Sequence, residues 1–139
     1  MILYIDACVR RDSRTQRLAE ALLQQLDDEV QQVRLEDIPF GISDEAFLDQ
    51  REKLTEEGAY DHEMFALARQ FAAADTIVIA APYWDLSFPA TLKQYMEKVT
   101  VNGITDSRLI KATGLDIIGA DVEMILEQCI EREIRGMDR

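Results

Sequence analysis

The chain has 139 residues, the length of one domain, and at that size it can bury roughly two-thirds of its unfolded surface in a single core. Its hydrophobic fraction is 47% and its charged fraction 30%, which is globular and excludes a disordered tail or a coiled rod. Fifteen Lys and Arg stand against 27 Asp and Glu, and the formal net charge of −12 makes nucleic acid and anionic membranes poor partners.

Residues 2–5, Ile-Leu-Tyr-Ile, are an unalternating apolar run and read as a parallel strand buried on both faces. The polar stretch Asp12 to Arg17 leads into Leu18, Ala19, Leu22, Leu23 and Leu26, the spacing of an amphipathic helix. Ser13 followed by Gln16 is the pattern of a capping box. Val30 to Leu35 is a weaker strand signal, with Val33 and Leu35 on one face. Pro39-Phe40-Gly41 breaks the pattern, and residues 43–58 form a charged helical excursion with Phe47, Leu48 and Leu54 as sparse anchors.

Met64, Phe65, Leu67, Ala68, Phe71 and Ala72 give the next helix a wide apolar face. Residues 77–81, Ile-Val-Ile-Ala-Ala, are β-branched, uninterrupted and punctuated by Pro82, so the strand signal is strongest here. Pro89 suits the first turn of a helix that carries Leu92, Tyr95, Met96 and Val99 inward. Beyond Gly103, Leu115 to Ile118 reads as a short strand. Asp121 then caps a last helix through Val122, Ile125, Leu126, Cys129 and Ile130, ended by Gly136. Strands alternating with helices specify a parallel sheet covered on both faces, and one domain over residues 1–139.

In open sheets of this kind the ligand sits beyond the carboxyl ends of the strands, where the strand order reverses. For the order 2-1-3-4-5 that crevice lies between the loops after strands one and three. The first of these, Asp6 to Thr15, contains no glycine, which excludes both the G-x-G-x-x-G dinucleotide fingerprint and the Walker A loop. It offers two hydroxyls, three arginines and a helix N-terminus, donors that fit a phosphate monoester. A Ser13 that only caps the helix, with arginines that only solvate an acidic protein, accounts for this loop equally well.

The second loop, residues 82–89, places the chain's one tryptophan, a tyrosine, a phenylalanine and two prolines immediately beyond a buried strand. Little core is available to that position, so a flat, partly apolar ligand is the better explanation for the aromatic cluster. A phosphate at one loop and a flat ring at the other describe a mononucleotide such as FMN.

The stretch from Ala81 to Thr105 carries P-x-aromatic-x-x-S-x-P-A-x-L-K, closed by Asn102-Gly-Ile-Thr105. It resembles the ring-binding segment of the flavodoxin-like NAD(P)H:quinone reductase and FMN-dependent azoreductase family. The opening Ile2-Leu-Tyr-Ile-Asp-Ala with Arg10, Ser13 and Thr15 is similar to that family's first strand and phosphate loop. Residues 115–126 resemble its C-terminal signature.

The resemblance implies a flavodoxin-like three-layer sandwich and an enzyme that passes hydride from NADH or NADPH, through FMN, to a quinone or azo compound. By position, Arg10, Ser13, Arg14 and Thr15 would hold the phosphate, and Pro82, Tyr83, Trp84 and Asp85 would line the isoalloxazine. The family implies a homodimer with flavin at the subunit interface. The flavin carries the hydride chemistry, so no protein acid, base or nucleophile is required.

One departure is evident. In the family the N-G-I-T segment leads into a Gly-rich linker, a fourth strand and a ring-side loop. Here Thr105 is followed by Asp106-Ser-Arg-Leu-Ile-Lys and then the C-terminal signature, so a βα unit of roughly 30 residues is expected to be absent. A non-catalytic shortened module and an electron-carrier flavodoxin are the alternatives to the reductase.

Cys8 and Cys129 are too few and too far apart for a disulfide framework. The first residues show no basic lead-in or cleavage site, no apolar run nears the roughly 20 residues of a membrane span, and a cytoplasmic protein is expected. His62, the chain's one histidine, reads as inert, and no metal cluster surrounds it. The acidic pairs Asp27-Asp28 and Glu56-Glu57 read as solvated faces.

Overall fold

The structure, a computed structural model, describes residues 1–83 and 85–105. The strand and helix expected after residue 114, with Cys129, lie outside them. Within them the chain runs β1 (Ile2–Asp6), α1 (Arg14–Gln24), β2 (Val30–Arg34), α2 (Glu45–Glu56), α3 (Ala66–Ala73), β3 (Thr76–Ala80) and α4 (Ala90–Val99). Short 3-10 turns at Leu35–Asp37 and Glu63–Phe65 follow β2 and precede α3.

The three strands are parallel and ordered β2-β1-β3, with Asp6 in register with both Arg34 and Ala80. The chain moves to one side of β1, then crosses over to the other side for β3. The reversal of strand order therefore falls between the ends of β1 and β3, the position where sheets of this kind open a crevice.

Alternation along the strands divides the core in two. Leu3, Ile5, Ala7, Ile77, Ile79 and Ala81 point to the face covered by α3 and α4, where Phe71, Leu92, Tyr95 and Val99 meet them. Ile2, Tyr4, Cys8, Val78 and Ala80 point the other way, onto Ala19, Leu22 and Leu23 of α1. Each fully buried large side chain contributes about 1.5–3 kcal/mol, so β1, buried along its whole length, is the centre of stability. This is why its sequence reads as one unbroken apolar run.

Two hydroxyls inside this core have no hydrogen-bond partner among the described residues, Tyr4 Oη and Tyr95 Oη. Burial raises the phenol pKa of both well above the usual value; for Tyr4 the nearby Asp6 adds to the effect. The Tyr95 ring packs against Phe71 at a centroid distance of 6.4 Å.

The excursion at residues 43–58 is helical as expected, but α2 buries none of its residues. Leu54 meets a satellite cluster around Phe65, Ala68 and Val101. The rest of its attachment is polar. Lys98 sits 3.6 Å from the Phe47 ring centroid, Ser43 donates to Glu97 Oε2 at 2.9 Å, and the Arg51 guanidinium donates to the carbonyl oxygens of Glu97 and Thr100. Arg51 thus satisfies the end of α4 from outside, as basic groups near helix C-termini commonly do.

His62 is not idle. Its Nδ1 accepts the Met64 N–H at 3.0 Å, and its carbonyl accepts from Arg69, so it starts the 3-10 turn before α3. Asp28 is exposed, as expected, and is also bonded. It accepts from the Met1 amino group at 2.8 Å and from the Glu29 N–H at 2.7 Å, and the bond from the amino group holds its carboxyl below the usual range. Asp75 joins Asp28 on that amino group, and the two carboxylates raise its pKa from 8.0 to about 10.

Candidate functional site

β1 and β3 end side by side, and the Ala7 N–H donates to Ala80 O at 2.8 Å just past both strands. The loops that follow must therefore leave the sheet from adjacent points. Arg10 and Ser13 lie in the loop after β1, Arg14 and Thr15 in the first turn of α1, and Pro82, Tyr83 and Asp85 in the loop after β3. Trp84 lies outside the described residues.

The first loop is organised from beneath by a residue the sequence reading had passed over. Asp6, the last residue of β1, is fully buried on the α1 face of the sheet. Its Oδ1 accepts the Cys8 N–H at 2.9 Å and its Oδ2 accepts from the Gln16 side-chain amide at 3.0 Å. The signal was present: a carboxylate directly at the end of an apolar strand has to find donors if it is buried.

Ser13 is the N-cap of α1, and its Oγ accepts the Gln16 N–H at 3.4 Å. The expected capping box is half made, because the Gln16 side chain reaches Asp6 instead of turning back to its own cap. Asp12 adopts φ +55, a left-handed conformation that Asp tolerates better than most side chains, and it turns the loop where a glycine would otherwise serve. The Arg17 guanidinium donates to the Asp12 carbonyl at 3.5 Å.

Thr15 is buried at 8% exposure and Ser13 is half-buried, whereas Arg10 and Arg14 are exposed. The N-terminus of a helix, with its free N–H groups, is a position that favours an anion. Cys8 is buried, with its Sγ 3.8 Å from Ala80 O, and belongs to the core beneath the loop.

The second loop begins with buried Pro82 and ends at buried Pro89, the residue before α4. Between them Asp85 (φ +48) and Leu86 (φ +66) take two consecutive left-handed conformations. For a bulky residue such as Leu86 this is strained backbone. Leu86 is 86% exposed and Phe88 43%, so both apolar side chains of this loop face solvent.

The far end of α4 is closed by the Asn102-Gly-Ile-Thr105 segment. Gly103 has φ +87, and a methyl group on it would run into the Tyr60 ring. Buried Thr105 accepts the Val101 N–H at 2.9 Å and donates to Val99 O at 2.5 Å. The sequence pattern that runs from Ala81 to Thr105 thus ends in residues that lock α4.

A parallel sheet covered on both faces, with its strand order reversing between β1 and β3, is the architecture of the doubly wound proteins. Residues 1–117 match the family described as having a flavodoxin-like fold, and the chain belongs to that family.

Among its relatives, an FMN-dependent NADH:quinone oxidoreductase of Clostridium perfringens is 35% identical over 113 residues, covering 75% of this chain and 56% of that protein. FMN-dependent NADH:quinone oxidoreductase 2 of Clostridium acetobutylicum is 58% identical over 45 residues, 32% of this chain and 22% of that protein. The azoreductase from Bacillus anthracis str. Sterne shares the fold with a TM-score of 0.65 at 22% identity, over 75% of this chain and 57% of that one. An FMN-dependent NADH-azoreductase from Bacillus anthracis str. Ames Ancestor, solved in complex with FMN, superposes with a TM-score of 0.60 at 24% identity, with the same coverage. The chain therefore spans little more than half the length of the relatives it matches most extensively. Among the described residues no helix is long and apolar enough to cross a membrane.

Proposed function

We propose that this chain binds FMN in the crevice between the loops after β1 and β3 and serves as an oxidoreductase. Its reductant would be NADH or NADPH, and its acceptor a quinone or an azo compound. The observation that carries this reading is the meeting of two unlike loops at adjacent strand ends. One loop is rich in anion donors and the other in rings and prolines.

The donor set fits the group. A phosphate monoester needs several short N–H and O–H donors in a concave site, and Ser13, Thr15 and the first turn of α1 supply them, with Arg10 and Arg14 as outer counter-charges. Pro82, Tyr83, Trp84 and Asp85 would bound the isoalloxazine on one side. When bound, FMN supplies the hydride transfer. The chain's own residues hold the phosphate, limit water on the sheet side of the ring and leave the opposite face open for reductant and acceptor in turn. A homodimer in the cytoplasm completes this reading, because exposed Leu86 and Phe88 at the crevice rim offer a surface for a second subunit.

The matched relatives are named FMN-dependent NADH:quinone oxidoreductases, which supports the cofactor and the reductant. A second reading, a flavodoxin-like module without turnover, stands beside it. Titration of the protein with FMN, followed by flavin fluorescence quenching, separates the two. Saturable quenching, then bleaching of the flavin band by NADH and its return on adding a quinone, supports the reductase. Absence of binding supports the module, and binding without bleaching by either nicotinamide supports an electron carrier.

A further inference from the structure

The first loop has a problem that glycine-rich phosphate loops do not. Without glycine its backbone cannot wrap an anion closely, so its donors are side chains and the amides at the start of α1. Their placement depends on how the beginning of α1 is held relative to the end of β1. Asp6 stands at that junction, and it is fully buried.

We propose that Asp6 is a positioning residue for phosphate binding, acting through Cys8 and Gln16 without touching the ligand. The inference rests on the FMN reading above. Asp6 Oδ1 fixes the first residues of the loop through the Cys8 N–H, and Oδ2 fixes the first turn of α1 through the Gln16 amide. Gln16 is also tied by its backbone N–H to Ser13 Oγ, so the chain of contacts runs from the sheet through Asp6 and Gln16 to a phosphate donor.

Two features argue that this is more than a tether. A glutamine at the third position of a helix ordinarily closes its own capping box, and here it is diverted to the sheet. A buried carboxylate is costly unless its geometry is satisfied, and an apolar pair would join strand and helix at lower cost. Directional acceptors, in contrast, fix the register of the loop as well as its proximity.

The test compares FMN with riboflavin, which has the same ring system and no phosphate. Dissociation constants are measured by fluorescence quenching for the unaltered chain, Asp6→Ala, Asp6→Asn and Gln16→Ala. Gln16 is half-buried, so its truncation leaves the fold in place even where Asp6→Ala does not. Loss of aligned hydrogen bonds to the phosphate is expected to weaken FMN about tenfold in Asp6→Ala and Gln16→Ala. Riboflavin should change by less than about twofold in the same variants. Asp6→Asn keeps an oxygen for Cys8 and offers its amide to a rotated Gln16, and FMN affinity should recover to within about threefold. Parallel weakening of both flavins in Gln16→Ala, or unchanged FMN affinity, overturns the proposal. An unaltered chain that binds riboflavin but not FMN, or neither, overturns the underlying reading and this proposal with it.

Discussion

The segment after β1 is tied by hydrogen bonds from several directions: Asp6 beneath it, Ser13 within it, Gln16 and Arg17 from the helix it enters. The segment after β3 is shaped instead by torsion, with prolines at its ends and two consecutive residues at positive φ. The contrast suits the two halves of the proposed ligand. A phosphate has directional lone pairs and rewards donors already aimed at it, whereas a flat ring rewards a stiff apolar edge at a fixed height. One loop is ordered by what its side chains bond, the other by what its backbone can adopt.

The comparison breaks most visibly at the first loop. Ser13→Ala with Thr15→Ala removes two donors to a charged phosphate, each worth about 1.5–3 kcal/mol, so FMN affinity should fall about a hundredfold or more. Fluorescence titration checks this, with far-UV circular dichroism confirming that α1 survives the loss of its cap. Unchanged affinity would remove the phosphate from this loop.

A smaller effect is expected behind the second loop. Gly103→Ala forces a side chain to φ +87 and into Tyr60, and should lower stability by about 2–4 kcal/mol in urea unfolding. If stability is unchanged, the N-G-I-T segment does not lock α4.

Within the second loop the sign reverses. Leu86→Gly relieves a left-handed strain of about 1–2 kcal/mol, against about 0.5–1 kcal/mol for the extra freedom of glycine in the unfolded chain. A net gain of roughly 0.5–1 kcal/mol in urea unfolding is expected, because the exposed Leu86 side chain gives up little packing. FMN binding should weaken as the stiff edge is lost. A loss of stability would show that the positive φ is not strained.

The smallest effect serves as a control at the opposite end of the sheet. The Met1 amino group, held by Asp28 and Asp75, has its pKa raised to about 10. A raised pKa on a cation contributes stability that is complete below pH 8 and fades as pH rises through 10. A shallow fall in Tm over that interval is expected, abolished by acetylating the amino group. FMN affinity measured across the same pH change should follow neither.

Much of this was legible in the residues themselves. The unbroken apolar runs at 2–5 and 77–81 identified β1 and β3 because burial on two faces leaves no room for alternation. Ser13 and Pro89 marked helix starts correctly. The two loops could be placed opposite each other because strand order dictates where a parallel sheet opens. What stayed hidden were contacts between residues distant in sequence or free to choose partners. Nothing local tells Gln16 to prefer Asp6 over its own cap, or tells His62 that a helix start needs its imidazole. The left-handed pair Asp85-Leu86 was equally invisible, because neither residue type requests that conformation and only the surrounding chain can impose it.

The polar clasp between α2 and α4 has its own consequence. An element fastened by Lys98 on Phe47 and by Arg51 on two carbonyl oxygens, with no buried residue of its own, answers to ionic strength more than to temperature. Its amide protons should trade with solvent well before those of β1, and faster still as salt screens the clasp. Exchange ordered in this way would make residues 43–58 a separable flank beside β1.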